Sequence, residues 1–241
     1  MRMRVVDFHT HILPGIDDGS KDLQQSLEML RAQAGQGIDH VVCTPHFYPS
    51  SDNPQRFLAR REKAYSQLAA ELEKHQGMPA LSLGAEVLYF KGISEWDGLK
   101  DLKIQGTDCV MIEMPMSEWS ERMLDDVAAI KRRQKLTPII AHVDRYITPL
   151  RTYGIPETLA DMPVIVQANS SFFLNRFSAP LAFKMLKKGQ IQLLGSDCHN
   201  MTSRKPDLGQ ARDIIIKKVG DEAIKNVNEL EKNIFSGMIL I

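Results

Sequence analysis

Asp7, Phe8, His9, Thr10 and His11 begin a series of chemistry-bearing residues that extends along the whole chain. In an extended segment, residues two apart point to one side, so both imidazoles can reach one ion about 2.1 Å away. His-x-His alone is a weak signal. Its weight comes from Asp17 with Asp18, His46, Glu86, Glu113, His142, and Asp197 with His199, nearly all of which follow closely on a short apolar run. A carboxylate buried at such a position is costly unless paired or coordinated, and a shared cation meets that need for the whole set. Mixed imidazole and carboxylate donors suit Mn, Fe, Zn or Mg, and a bridging carboxylate holds two ions close together. Clustered ions generate hydroxide at neutral pH and neutralise a phosphate ester. Arginines add a clamp for phosphate oxygens, and Arg145 and Arg204 follow His142 and His199 in loops on the same face. Ordinary exposed loops would explain any single member of this set, but explain the set poorly. His40, at the entry to its strand, and His75, at a helix end, are expected to serve structure or solvent.

Residues so far apart in sequence need a scaffold that gathers them. The apolar runs read as parallel strands alternating with helices, whose carboxyl ends meet at one face of an α/β barrel. Strands are expected at 5–8, 40–44, 81–87, 109–113, 138–141, 163–168 and 191–194. Helices are expected from 22, with Ser20 as cap, to Gly35 and Gly37, then over 54–76, 120–134 and 180–188, with two more between 208 and 234. The length of 241 residues suits one domain, 1–241, without repeats or linkers. Equal counts of 30 basic and 30 acidic residues argue against a nucleic-acid surface or an acidic tail. Lys131, Arg132, Arg133 and Lys135 form a local basic cluster, read as a complement to the helix dipole. Cys43, Cys109 and Cys198 suit a reduced compartment better than a disulfide framework. No signal-like or membrane-length apolar run occurs, so the expectation is a soluble cytoplasmic protein with no membrane insertion.

Several motifs occur in a telling order: His9-Thr10-His11-Ile12-Leu13-Pro14-Gly15-Ile16-Asp17-Asp18-Gly19, Thr44-Pro45-His46, Gly84-Ala85-Glu86, Ile112-Glu113, Ala141-His142-Val143-Asp144-Arg145-Tyr146, Gln167-Ala168-Asn169 and Gly195-Ser196-Asp197-Cys198-His199-Asn200. Together they resemble the PHP superfamily, named for polymerase and histidinol phosphatase domains. Within it they are similar to the bacterial tyrosine-protein phosphatases encoded with capsular and exopolysaccharide genes. The resemblance covers the chain from about Val5 to Leu208 and implies a distorted (β/α)7, TIM-barrel-like fold with three divalent ions, manganese first among them. By position, it assigns His9, His11, Glu86 and Asp197 to one ion, Glu86, Glu113 and His142 to a second, and Asp18, His46 and His199 to the third. Arg145 and Arg204 would bind the phosphate. The implied substrate is the tyrosine-rich tail of a membrane-associated bacterial tyrosine kinase that controls polysaccharide export.

The corresponding chemistry is attack on phosphorus by a hydroxide bridging the ions, without a covalent enzyme intermediate. The segments 47–51 and 170–173 are expected to offer aromatic walls to the tyrosyl ring. Three other readings have a hook in the sequence. A histidinol-phosphate or other small-molecule phosphoesterase would use the same ions. A metal-binding scaffold without turnover would share the ligands. Finally, Cys198 and Arg204 satisfy the Cys-x5-Arg spacing of a thiolate phosphatase. That loop contains no glycine to wrap an anion, and Pro206 obstructs the helix start such a loop needs.

Overall fold

The computed structural model describes residues 4–147 and 154–238. It contains β1 (Val6–Thr10), α1 (Leu23–Gly35), β2 (His40–Cys43), β3 (His46–Phe47), α2 (Pro54–Leu72), β4 (Ala80–Leu83), β5 (Glu86–Leu88) and β6 (Cys109–Glu113). These are followed by α3 (Glu121–Gln134), β7 (Thr137–Ile140), α4 (Val143–Tyr146), α5 (Ile155–Ala160), β8 (Ile165–Asn169), α6 (Ser170–Leu174), α7 (Ala179–Lys187), β9 (Leu193–Gly195), α8 (Leu208–Val219) and α9 (Asp221–Ser236).

All strand pairings named here are parallel: β1-β2-β4 form one sheet and β3-β5-β6-β7-β8-β9 the other. The strand expected at 81–87 is interrupted, and at the same level β3 extends the strand expected at 40–44 into what is expected to be a loop. Thr44-Pro45 separates β2 from β3, and Gly84-Ala85 separates β4 from β5. The ladder bridges that break through Gly84 N to Cys43 O (2.8 Å) and Glu86 N to Pro45 O (3.0 Å). Counting each interrupted pair as one strand restores the seven positions of a distorted barrel. The remaining seam joins β1 to the segment after β9, with Asp197 N donating to His9 O (2.8 Å) and His11 N to Cys198 O (3.0 Å).

Local chemistry accounts for the helix starts. Asn53 caps α2 through Oδ1, with Pro54 in the first turn where its missing N–H costs nothing. Ser120 caps α3, and Lys131, Arg132 and Arg133 occupy its last turn, where cations favour the dipole. The cap expected at Ser20 belongs instead to Asp22, whose carboxylate accepts from Gln25 N at 2.9 Å. Ser20 is buried and bonds the Ser26 hydroxyl at 2.8 Å, so its side chain serves packing. Helix α2 ends at Leu72, short of position 76.

Inside the barrel, Val6, Phe8, Val42, Cys109, Met111, Ile139, Ile165 and Leu193 form a compact apolar layer with Ile234 of α9. Phe235 extends this plug, its ring 5.8 Å from Phe8 and 4.7 Å from His40. The sequence offers Met238 to Ile241 for closing the barrel, and of these residues 239–241 lie outside the described ones. No helix among the described residues is long and apolar enough to cross a membrane.

Candidate metal centre

Above the apolar layer the inward-facing rows turn polar. On β8 the row runs Ile165, Gln167, Asn169, and on β6 it runs Met111, Glu113. Strand β1 needs a further device, because Phe8 and His9 are adjacent and both serve the interior. Between Asp7 and Thr10, β1 advances three residues while its partner β2 advances two, from Val41 to Cys43. This bulge re-aims His9 and His11 toward the barrel axis. His142 and Asp197 have left-handed backbones, with φ of 32° and 53°, just beyond β7 and β9. Such conformations are uncommon for these residues and persist only where the surroundings enforce them. Gly195 supplies one constraint: a Cβ there would lie 2.6 Å from that of His9, so the seam requires glycine.

All nine carboxylates and imidazoles expected from the sequence meet at this face. Glu86, fully buried at the head of β5, is the hub. Its Oε2 lies 3.1 Å from His9 Nε2, 3.2 Å from His11 Nε2 and 3.0 Å from His46 Nδ1, and its Oε1 lies 2.6 Å from His142 Nε2. The third contact follows from register, since His46 and Glu86 are paired neighbours on β3 and β5. Asp197 Oδ1 is 3.6 Å from His9 Nε2 and 3.5 Å from His11 Nε2. Glu113 approaches His142 at 3.6 Å and His46 at 3.8 Å. Asp18, on the exposed rim, reaches His46 Nε2 at 3.5 Å and His199 Nε2 at 3.4 Å. His46 therefore stands between two groups, one with Glu86 and Glu113, the other with His11, Asp18 and His199. The controls separate cleanly: buried His40 faces the Ser82 hydroxyl at 2.8 Å, and His75 lies 3.6 Å from Glu71 on α2's exposed end.

The donor set fits divalent cations. Glu86 Oε2, His46 Nδ1 and His199 Nε2 are buried and close to other donors, yet none has a hydrogen-bond partner. Among the described residues, five carboxylates, Asp17, Asp18, Glu86, Glu113 and Asp197, face two guanidiniums, Arg145 and Arg204, leaving three negative charges uncompensated if the imidazoles are neutral. The imbalance is visible in proton affinities. Burial opposes a charged His11, but Asp17 and Glu86 outweigh it and lift its pKa to about 10. Burial likewise disfavours an ionised Glu86, yet His9, His11 and His142 hold its carboxyl well below the ordinary range. The proton held on His11 beside two carboxylates occupies a place that a cation could take.

A supporting shell orients the donors. Asp17 Oδ2 faces His11 Nδ1 at 2.7 Å and accepts from His46 N at 3.1 Å, while Gly19 N donates to its other oxygen at 3.0 Å. Gln167 Oε1 accepts from His142 N at 2.6 Å and faces His9 Nδ1 at 3.2 Å. Its amide nitrogen donates to Asn169 Oδ1 at 3.1 Å, and Asn169 in turn donates to Asp197 at 2.9 Å. Such partners fix ring orientation and tautomer. Sequence reasoning gave Asp17, Gln167 and Asn169 no such role, although the inward position of Gln167 and Asn169 on β8 was an available signal.

Arg145 and Arg204 approach Asp197 from either side and are both about one-third exposed: Arg145 pairs with Oδ2, Arg204 with Oδ1 at 2.6 Å. Burial works against the Asp197 charge, but His9, His11 and Arg145 keep the carboxyl ionised. The loop carrying Arg204 is tied back, with His199 N and Asn200 N donating to Arg204 O, and Thr202, Ser203 and Arg204 amides donating to Asn200 Oδ1. Those amides are therefore committed and form no anion cradle for a thiolate mechanism. Cys198 is fully buried, and burial together with Asp7 pushes its thiol well above the ordinary value. It is a packing residue between two candidate ligands.

A curled parallel α/β barrel with imidazoles and carboxylates massed at its carboxyl-end face defines a class of barrel proteins with a candidate polynuclear metal centre. The family model for capsular polysaccharide synthesis proteins, CpsB/CapC, matches residues 5–233, and the chain belongs to that family. Tyrosine-protein phosphatase CpsB of Streptococcus agalactiae serotype III is 27% identical over 95% of this chain and 99% of its own. Tyrosine-protein phosphatase YwqE of Bacillus subtilis is 28% identical over 90% and 86%. Among solved structures, one from work on YwqE of B. subtilis and CpsB of Streptococcus pneumoniae, described as metal-dependent tyrosine phosphatases, superimposes with a TM-score of 0.84 at 22% identity, covering 98% of this chain and 96% of that one. A histidinol phosphatase-like protein of Listeria monocytogenes shares the fold more distantly, with a TM-score of 0.50 at 13% identity over 80% and 95% of the two chains.

Proposed function

We propose that this protein is a metal-dependent protein-tyrosine phosphatase acting in capsular or exopolysaccharide synthesis, with the phosphorylated tyrosine-rich tail of a bacterial tyrosine kinase as its substrate. The observation that carries this reading is the convergence of three imidazoles on one unsatisfied oxygen of Glu86, beside two arginines each about one-third exposed. Membership of a family whose curated relatives are tyrosine-protein phosphatases supports it.

In this reading His9, His11, Glu86 and Asp197 hold one divalent ion, Glu86, Glu113 and His142 a second, and Asp18, His46 and His199 a third, with manganese the expected metal. When bound, such ions supply an activated water at neutral pH and neutralise charge on phosphoryl oxygens. Arg145 and Arg204 turn from Asp197 to the phosphoryl oxygens, for which planar guanidinium forks are well matched. Asp17 and Gln167 keep His11 and His9 in the orientation that presents Nε2 inward. A phenolic leaving group, with a pKa near 10, departs with little help from an acid.

The test is turnover of a phosphotyrosine peptide before and after complete metal removal, after manganese is restored, and in Cys198→Ser. The expected result is loss on removal, recovery on restoration and an unaffected Cys198→Ser. Activity that survives metal removal but vanishes in Cys198→Ser would contradict the proposal.

A further inference from the structure

Phe47 and Tyr48 leave β3 together and diverge. Phe47 is 1% exposed, packed against Phe57 and parallel to Trp96, and Phe172 and Phe173 are also buried in the core. Of the aromatic residues in the two segments expected to wall the site, Tyr48 is the one at the surface. Its ring stacks on that of His46, with centroids 5.1 Å apart and planes 22° from parallel, and the residue stays 37% exposed. Stacking covers part of the ring and leaves the rest open beside a candidate ligand.

The loop holds Tyr48 there. Its N–H donates to Asp52 Oδ2 at 3.2 Å, and its carbonyl accepts from Ser51 N at 3.0 Å and Asp52 N at 2.8 Å. Arg60 on α2 anchors the turn through Asp52 at 2.7 Å. The bonds to Tyr48 itself all act on its backbone, so they position the residue without spending its side chain. An open aromatic surface fixed beside a candidate metal ligand is suited to a flat apolar group joined directly to a phosphate held at that metal centre.

We propose that Tyr48 is a specificity-determining residue that receives the aryl ring of the substrate and favours aryl over alkyl phosphomonoesters. The inference rests on the phosphatase reading for its biological meaning. An alkyl phosphate, such as phosphoserine, brings no ring to this surface and gains nothing from it.

The test compares phenylphosphonate with methylphosphonate, which share an anionic head, by calorimetric titration of the manganese-loaded protein. The parent is expected to bind phenylphosphonate more tightly. Tyr48→Ala is expected to weaken phenylphosphonate binding about 3- to 10-fold, the size of one aromatic pair, and to change methylphosphonate binding by less than about twofold. Tyr48→Phe is expected to keep the preference, and kcat/KM on a phosphotyrosine peptide should follow the phenylphosphonate trend. Equal losses for both ligands would overturn the inference by showing that Tyr48 acts through His46, and a parent without preference, or one that binds neither ligand, would overturn it too. An aryl preference that depends on Tyr48 in a protein that turns over no phosphotyrosine would support the inference and contradict the phosphatase reading instead.

Discussion

The two ends of the barrel bury ionisable groups in opposite ways. At the amino end, Glu231 of α9 accepts from Val6 N at 3.3 Å and faces Arg212 of α8 at 3.6 Å, while Arg212 also bonds Asn228. His40 is covered there by Phe235, and burial lowers its pKa to about 4, which keeps the ring neutral. Here a single buried acid faces a single base, and none of the converging donor groups found among the described residues includes Glu231 or His40. At the carboxyl end, carboxylates outnumber guanidiniums and crowd against imidazoles whose ligand atoms point at one another. Burial alone therefore does not mark a functional site. The mark is the convergence of several imidazole and carboxylate ligand atoms within reach of one cation.

The largest expected effect lies at the hub. Glu86→Gln retains shape but removes the charge shared by the imidazoles, and should lower phosphotyrosine turnover on the order of 10³-fold together with bound-metal content. Near-parental activity and metal content would remove Glu86 from the centre of this account. The arginines come next: Arg204→Ala should lower kcat/KM by about 10²-fold with metal content retained, and Arg145→Lys should restore little of the paired hydrogen bonding lost in Arg145→Ala. A variant that lost metal instead would show the arginines to be structural partners of Asp197.

The smallest effect sharpens the contrast from the amino end. Burial raises the Glu231 carboxyl to about 8, against the partial opposition of Arg212. An acid whose folded pKa exceeds its unfolded value binds more protons when folded, so its contribution to stability declines as pH rises from about 4.5 to about 8. Glu231→Gln should flatten that part of the denaturant-midpoint profile and leave phosphatase activity unchanged. An unaltered profile would mean that Arg212 compensates Glu231 fully.

Much of the site was legible because apolar runs reveal where strands end, and nearly all the donors were expected within a few residues of such an end, Asp18 being the exception. His9, His46, Glu86 and Glu113 lie within strands at the polar face, while His142, Asp197 and His199 lie just beyond them. What could not be read was backbone detail set by tertiary contact. The bulge that turns His9 inward depends on pairing with β2, and the left-handed turns at His142 and Asp197 depend on partners such as Gln167 and His9 O. The break that splits β2 from β3 and β4 from β5 is a property of two neighbouring strands together, invisible in either run alone. Ser20 was misassigned as a cap because a serine ahead of a helix also suits burial, and its bond to Ser26 decides the matter only in three dimensions.

The central claim, that these donors form a metal centre around Glu86, is tested most directly by anomalous diffraction at the manganese edge from crystals of the manganese-loaded protein. The account predicts three peaks: one among His9, His11, Glu86 and Asp197, one among Glu86, Glu113 and His142, and one among Asp18, His46 and His199. A fully loaded crystal with no peak touching Glu86, or with its manganese elsewhere on the molecule, would contradict it.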